Sequence, residues 1–382
     1  MRILYILKHD PWGIGGGCYA CRKYLELFTT LFAEAQFDAC ICEEYLKHAR
    51  VDDFPNVSFI PVRHRSIIGK ILTPLTGLLH RHHDMAMKLL SENDYDYCIF
   101  DENGIAGSLV GHAKKHNVKT VVLNHNCQYE YSRDNITSPL ERMLILPVVK
   151  RCERISYINC DYNIFLTEED KEQFAVRYGH SETTGIVGGC FYGKEEVPVT
   201  YGLDPLGKSS LRMVIGGTMG NVQNMDGINY FLDELLPLVP EEVSIVMAGK
   251  NPPVSLFERI RLTGRHIDII PNPKNMDAIV RSCDIFLCPT RLGGGMKLRL
   301  MDGFRNGLPV LAHSISARGY RMFEHEGVMA EFDGKEQFAE CIDWVLDAIR
   351  SERITRGKVL NAAEKFFSFE SAIQRVGCIN LS

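Results

Sequence analysis

Short runs of β-branched and aromatic residues alternate along the chain with longer stretches whose apolar positions recur at helical spacing, a pattern that predicts parallel sheets covered by helices. In the first half the strand-like runs are 2–7, 38–42, 97–100, 120–124 and 163–166, each followed by polar or glycine-rich residues and then a helical pattern. In the second half they are 211–216, 243–248, 267–270, 284–288 and 309–312. Between the two sets the chain reads Gly-Ile-Val-Gly-Gly-Cys-Phe-Tyr-Gly over 185–193 and passes into a polar stretch with Pro198, Pro205 and Gly207, which marks a domain boundary. The expected architecture is α/β, with two doubly wound Rossmann-like domains, 1–193 and 194–365, facing across a cleft. Segment 366–382 is read as a C-terminal helix. In such sheets ligands bind beyond the carboxyl ends of the strands, so residues just after these runs carry the functional weight.

At 382 residues, with 45% hydrophobic and 24% charged positions, the chain has the length and balance of two globular domains. A net charge of -5 supplies no overall basic field and excludes wholesale nucleic-acid binding. The opening Met1-Arg2-Ile3-Leu4-Tyr5-Ile6-Leu7-Lys8 is too short an apolar run for a signal-peptide core and reads as a first strand. No stretch approaches the roughly 18 apolar residues of a membrane span, and the best candidate, 143–149, contains Pro147. A cytoplasmic protein, soluble or peripheral at the membrane, is expected. The 13 cysteines are odd in number and set in apolar segments, as reduced core thiols are. Cys18-Tyr19-Ala20-Cys21 has redox spacing but no second pair, and is read as packing.

Candidate chemistry concentrates in 289–302, Pro-Thr-Arg-Leu-Gly-Gly-Gly-Met-Lys-Leu-Arg-Leu-Met-Asp, which continues to Gly307-Leu308-Pro309-Val310. Gly293, Gly294 and Gly295 expose backbone N–H groups, Met296 follows, and a helix is expected to open with Lys297 and Arg299 in its first turn. Donors, helix terminus and cations then converge as an anion cradle. Cations there oppose the helix dipole at a cost of roughly a few tenths of a kcal/mol each, a conflict that an anionic ligand removes. Asp302, farther along, is placed to accept from ribose hydroxyls. A second segment, 215–227, follows the first strand of the second half. Gly216 and Gly217 let the backbone approach a ligand, and Asn224 or Asp226 can cap the next helix. For Asn224, capping and ligand contact both stand.

The first half offers less. The loop Asp10-Pro11-Trp12-Gly13-Ile14-Gly15-Gly16-Gly17 lies between the first strand and a helix, but its spacing and Cys18 do not fit a dinucleotide fingerprint. Asp101-Glu102-Asn103 follow one strand and His125 another, with Glu130 close behind. Asp101, Glu102 and Glu130 are candidate acceptor-binding carboxylates, with solvated loop acids as the equal alternative. There is no Asp-x-Asp triplet, and His80, His82 and His83 flank Arg81, a poor metal environment. Residues 63–83 mix cationic and apolar positions, which fits either an anionic bilayer surface or a solvated helix over the core.

The segments 289–310 and 215–227 together resemble the nucleotide-sugar site of GT-B fold retaining glycosyltransferases of the family 4, or group 1, type, in the branch reading Gly-x-Gly-x-Lys-x-Lys or Arg, an acid, then Gly-x-Pro-Val. Where the commoner form has a pair of glutamates, this chain has Gly294 and Asp302. The resemblance implies transfer of a sugar from a UDP- or GDP-linked donor to a hydroxyl of a glycan, glycolipid or other glycoconjugate, with retention of configuration and no metal or other cofactor. Donor binding falls to Gly217, Asn224, Lys250, Arg291, Gly293, Gly294, Gly295, Met296, Lys297 and Asp302. Lys297 and Arg299 would stabilise the leaving diphosphate. The resemblance further implies that His125 faces the transferred sugar, that Gly15, Gly16 and Gly17 form the cleft floor, and that the helix of 366–382 crosses back to the first domain, its phenylalanines packing the hinge. A lipid-linked acceptor or membrane surface is a candidate partner. Two rival functions remain at this level: a non-catalytic partner subunit with a decayed site, and a nucleotide-sugar epimerase on the same architecture.

Overall fold

Continuous apolar runs buried on both faces are the mark of central parallel strands, and the first unit is organised around them. The computed structural model describes residues 1–63, 72–194, 196, 205–207, 211–293 and 295–379. Contacts divide the chain into two units, Met1–Gly193 with Phe369–Ser382, and Lys194–Ser368.

The first unit holds β1 (Arg2–Ile6), β2 (Gln36–Cys42), β3 (Val57–Val62), β4 (Tyr97–Phe100), β5 (Lys119–Asn124), β6 (Tyr162–Phe165) and β7 (Thr184–Val187) in one sheet, ordered β3-β2-β1-β4-β5-β6-β7. Every pairing is parallel, and Ile6 lies between Cys40 of β2 and Phe100 of β4. Leu4, Ile6, Cys98 and Phe100 pack with Leu109 and Val110 of helix Asn103–Lys115. That helix lies against helix Pro139–Asn159, and Gly107 makes the approach: a Cβ there would overlap the main chain of Cys152. The last helix, Phe369–Val376, belongs to this unit, with Arg375 Nε donating to Gly188 O at 3.0 Å and Phe369 against Phe191.

The second unit repeats the plan with β8 (Arg212–Gly216), β9 (Ser244–Gly249), β10 (Ile267–Pro271), β11 (Ile285–Cys288), β12 (Val310–His313) and β13 (Met329–Phe332), ordered β10-β9-β8-β11-β12-β13 and again parallel throughout. Met213, Ile245, Leu287 and Leu311 form its core with Phe338 and Val345 of helix Lys335–Arg350. Phe304 stacks on Phe323 at 3.8 Å between centroids, and Phe367 closes that cluster. The phenylalanines expected to act together at a hinge therefore part company: Phe366 and Phe367 pack in the second unit, Phe369 in the first.

In each sheet the chain starts at a central strand, winds outward one way, then returns to the other side. The return point falls between β1 and β4 and between β8 and β11. Strand connections diverge there, leaving room at the carboxyl ends for a ligand. The ten strands read from the sequence are present. Three more, β3, β7 and β13, each lie at a sheet edge. All 13 cysteines are free thiols, and only Cys18 and Cys378 are not buried. Among the described residues no helix is long and apolar enough to cross a membrane.

Candidate functional site

β8 is followed by Gly217-Thr218 and β11 by Pro289-Thr290, and a small recess at these two strand ends is lined by Gly217, Thr218, Asn224, Thr290 and Arg299. Gly217 holds φ at 132°, where a side chain would be strained. A Cβ there would also sit 3.2 Å from Arg299 Nη1. Helix Val222–Tyr230 is capped by Asn221, whose Oδ1 accepts from Gln223 N at 2.8 Å. The helix thus starts earlier than the cap expected at Asn224 or Asp226. Asn224, inside it, donates to Thr218 O at 2.7 Å and accepts from Arg299, while Asp226 takes Arg291. Two segments about seventy residues apart in sequence are locked together by the Asn224–Arg299 bond.

Arg299 is the first residue of helix Arg299–Arg305, and Lys297 lies in the turn before it. The expected helix start at Lys297 is corrected by two residues, because the Lys297 carbonyl accepts from Leu300 N and from Tyr320 Oη in a tight turn. Lys297 is only 8% exposed. Burial pushes its ammonium down to about 8, with the nearby Arg299 and Arg318 charges adding to the effect. Arg318, just beyond the short helix Ser314–Ala317, had no motif to announce it. Gly293 and Gly295 both have left-handed backbone, at φ 87° and 68°, so the loop before Lys297 depends on glycine. Gly294 lies outside the described residues. Met296 is half-buried, and Asp302 keeps a side chain 45% exposed at 3.6 Å from Arg305.

The other donor-side cations stand differently. Arg291 Nε and Nη2 donate to Asp226 at 3.0 and 3.3 Å, with the guanidinium 4.5 Å over the Tyr230 ring, so its charge already has a carboxylate. Lys250 is exposed after β9, and its carbonyl accepts from Met219 N at 2.7 Å, which pins the loop carrying Gly217 and Thr218.

In the first unit the ends of β1 and β4 meet in a charge cluster. Asp101 is fully buried: Oδ2 accepts from the Lys8 and His9 backbone N–H groups and lies 3.1 Å from His9 Nδ1, while Oδ1 lies 2.8 Å from His125 Nε2. Burial works to raise this carboxyl, but the His125 and His9 imidazoles hold it well below the usual carboxylate range. Glu102, also buried, pairs with Lys8 Nζ at 2.9 Å and His80 Nε2 at 2.8 Å, and these hold it low against the effect of burial. Glu130 pairs with Arg177, which lies 4.8 Å over the Tyr129 ring. The three acids read as acceptor ligands are thus engaged by this unit's own basic side chains. Gly15, at φ 129°, precedes helix Gly16–Leu31, and Gly17 passes so close to His9 that a Cβ would lie 2.7 Å from the ring. His9, Asp101 and His125 also present ligand atoms within 4.8 Å of one another, the spacing of a metal-binding group. The histidines at 80, 82 and 83 disperse: His80 goes to Glu102, His83 faces Ser108, and His82 is buried. Most of the cationic part of the amphipathic stretch, 64–71, lies outside the described residues.

Comparison with known proteins adds to this geometry. Residues 213–348 match the family model described as glycosyl transferases group 1. No curated protein matches the chain by sequence. Solved structures do resemble it along its length. HepE of Anabaena in complex with UDP aligns at 13% identity and TM-score 0.63 over 99% of both chains. Sucrose-phosphate synthase from Thermosynechococcus elongatus aligns at 13% and 0.68 over 99% of this chain and 98% of its own. A glycosyltransferase from Rickettsia africae aligns at 13% and 0.68 over 99% and 97%. At this identity the likeness establishes a shared fold.

Proposed function

We propose, from the premise that residues 213–348 form a group 1 glycosyl transferase domain in a chain of the GT-B fold, that the protein moves a sugar from a nucleoside-diphosphate sugar to an acceptor hydroxyl. One observation carries the reading: a buried lysine, crowded by two arginines, next to a loop held in left-handed backbone by glycines. Burial and the neighbouring like charges both disfavour the ammonium, and a diphosphate placed among them offsets that cost. In this reading its oxygens lie over the backbone N–H groups of Gly293 and Gly295 and between Lys297 and Arg299, where charge develops as the glycosidic bond to phosphate breaks. Asn224 holds the Arg299 guanidinium in place. Asp302, half-buried three residues beyond Arg299, accepts from ribose hydroxyls in this reading. HepE structures hold UDP and UDP-glucose, which supports a nucleoside diphosphate as the leaving group here.

The finer reading is retention of configuration, with the departing phosphate assisting deprotonation of the acceptor and the two cations supplying charge that a metal supplies elsewhere. The acceptor is a glycan or a lipid-linked sugar. The test is a thermal-shift series with UDP, GDP and their sugar conjugates, since a ligand at a hundred times its dissociation constant adds about 2.7 kcal/mol of stability. Lys297→Ala should lose that shift. A variant that responds like the parent places the cradle elsewhere.

A further inference from the structure

We propose that the first unit carries a bilayer-docking surface on helix Pro139–Asn159, apolar at its leading end and cationic behind, which seats on a membrane rich in anionic lipid. The helix opens after Ser138, whose Oγ accepts from Glu141 N at 3.4 Å, and Pro139 fixes its first position. Glu141, the acid of that turn, therefore sits where the helix dipole favours it. One face of the helix is core, with Leu146, Val149, Cys152 and Tyr157 buried. Leu140, Met143, Leu144, Pro147, Arg151 and Arg154 follow one another at helical spacing along the opposite face, and all are exposed.

The outward face of a surface helix is ordinarily polar, yet here Leu140 is 63% exposed, Met143 66% and Leu144 42%. Single exposed apolar side chains mean little, but neighbours on one face mark a surface that meets a partner. Behind them the face turns cationic. Lys150 is exposed beside Arg151 and Arg154, and among the described residues none of the three pairs with a carboxylate. From Leu144 to Arg151 the helix advances roughly 10 Å, about the depth to which an amphipathic helix sinks between headgroups and acyl chains. Tilted with its leading end down, the helix puts leucine and methionine among acyl chains while both arginines stay level with lipid phosphates. It does not cross the membrane, being neither long nor apolar enough. Charge chooses this occupant. The chain as a whole carries -5, so a face of unpaired cations is a local reversal of sign that an anionic surface recognises. A second copy of the chain is a poor match, because two-fold pairing lays cations against cations or against apolar side chains.

Flotation of the full chain with vesicles tests this surface. The protein should rise with vesicles of mixed phosphatidylglycerol and phosphatidylcholine, and partition at least about tenfold less onto phosphatidylcholine alone. Leu140→Gln, Met143→Gln and Leu144→Gln together should weaken partitioning at least about tenfold. Arg151→Gln and Arg154→Gln should each weaken it roughly fivefold and flatten its dependence on salt. All five positions are exposed, so the variants should melt with the parent, which keeps loss of binding apart from loss of fold. A parent that stays in the soluble fraction with phosphatidylglycerol vesicles, or variants that partition like the parent, would overturn the proposal. So would self-association of the parent, seen by sedimentation velocity and abolished by the three apolar replacements, since that gives the face to a second copy. Vesicle binding involves no turnover, so it stands or falls apart from the nucleotide thermal shift. Where both hold, the surface brings a lipid-linked acceptor to the first unit, a consequence that rests on the transferase reading.

Discussion

Lys297 holds its charge where burial disfavours it, titrating at about 8 instead of 10.5. Between those values the unfolded chain binds more protons than the folded one, so Lys297 by itself makes the fold more stable as pH rises through that window. A diphosphate reverses the preference because it requires the ammonium. UDP affinity should therefore fall as pH rises past about 8, with proton uptake on binding near that pH, read by calorimetry in buffers of different ionisation enthalpy and absent in Lys297→Ala. That variant should also lose about 3 kcal/mol of transition-state stabilisation, roughly a hundredfold in turnover. His82 gives a second residue-scale prediction. It is 2% exposed with both ring nitrogens unpartnered among the described residues. Burial, with His80 and Arg81 adding, pushes it down from 6.5 to about 3. The unfolded chain then binds more protons between those values, so stability is lost as pH falls through them. His82→Phe should relieve about 2 kcal/mol of that loss at pH 5 and show no such proton-linked gain at pH 8, measured by thermal melting at the two pH values.

Elements in this protein meet closely where glycine permits it. Helix Asn103–Lys115 rests on helix Pro139–Asn159 at Gly107, where an added Cβ meets the main chain of Cys152, which cannot swing aside as a side chain would. Gly107→Ala should destabilise by about 3 kcal/mol, seen in chemical unfolding. Gly111, one turn on in the same helix, has nothing within 4 Å of its Cβ position. Gly111→Ala should stabilise by roughly 0.5 to 1 kcal/mol through helix propensity alone. The pair separates close packing from glycine flexibility.

The whole molecule joins two sheets of the same plan whose charges are unequally placed. Asp101 and Glu102 sit buried in the first unit with carboxyls held below the usual range. Their contribution is present above the ordinary carboxylate pKa of about 4 and is lost as pH falls below it. Acid should therefore unfold the first unit before the second. The two tryptophans report the units separately, Trp12 in the first and Trp344 in the second. In Trp344→Phe and Trp12→Phe variants, the fluorescence transition of Trp12 should come at higher pH than that of Trp344.

Much of this organisation was legible from residues alone because it is local. A central parallel strand is a contiguous apolar run, and Lys297 and Arg299 share one segment with the glycines before them. The edge strands were not legible: β3, β7 and β13 carry half-exposed positions, so their apolar signal is diluted. Partnership was the other gap. That Asp101 would be enclosed by His9 and His125, that Glu130 would take Arg177, that Arg291 would settle on Asp226, and that Arg318 would crowd Lys297 depended on segments far apart in the chain. Sequence by itself determined where the central strands lie and which segment gathers glycines and cations, since contiguous apolar runs and local composition suffice for both. Tertiary structure alone decided which charges stay available, because burial and the return of the chain at the centre of each sheet choose their partners.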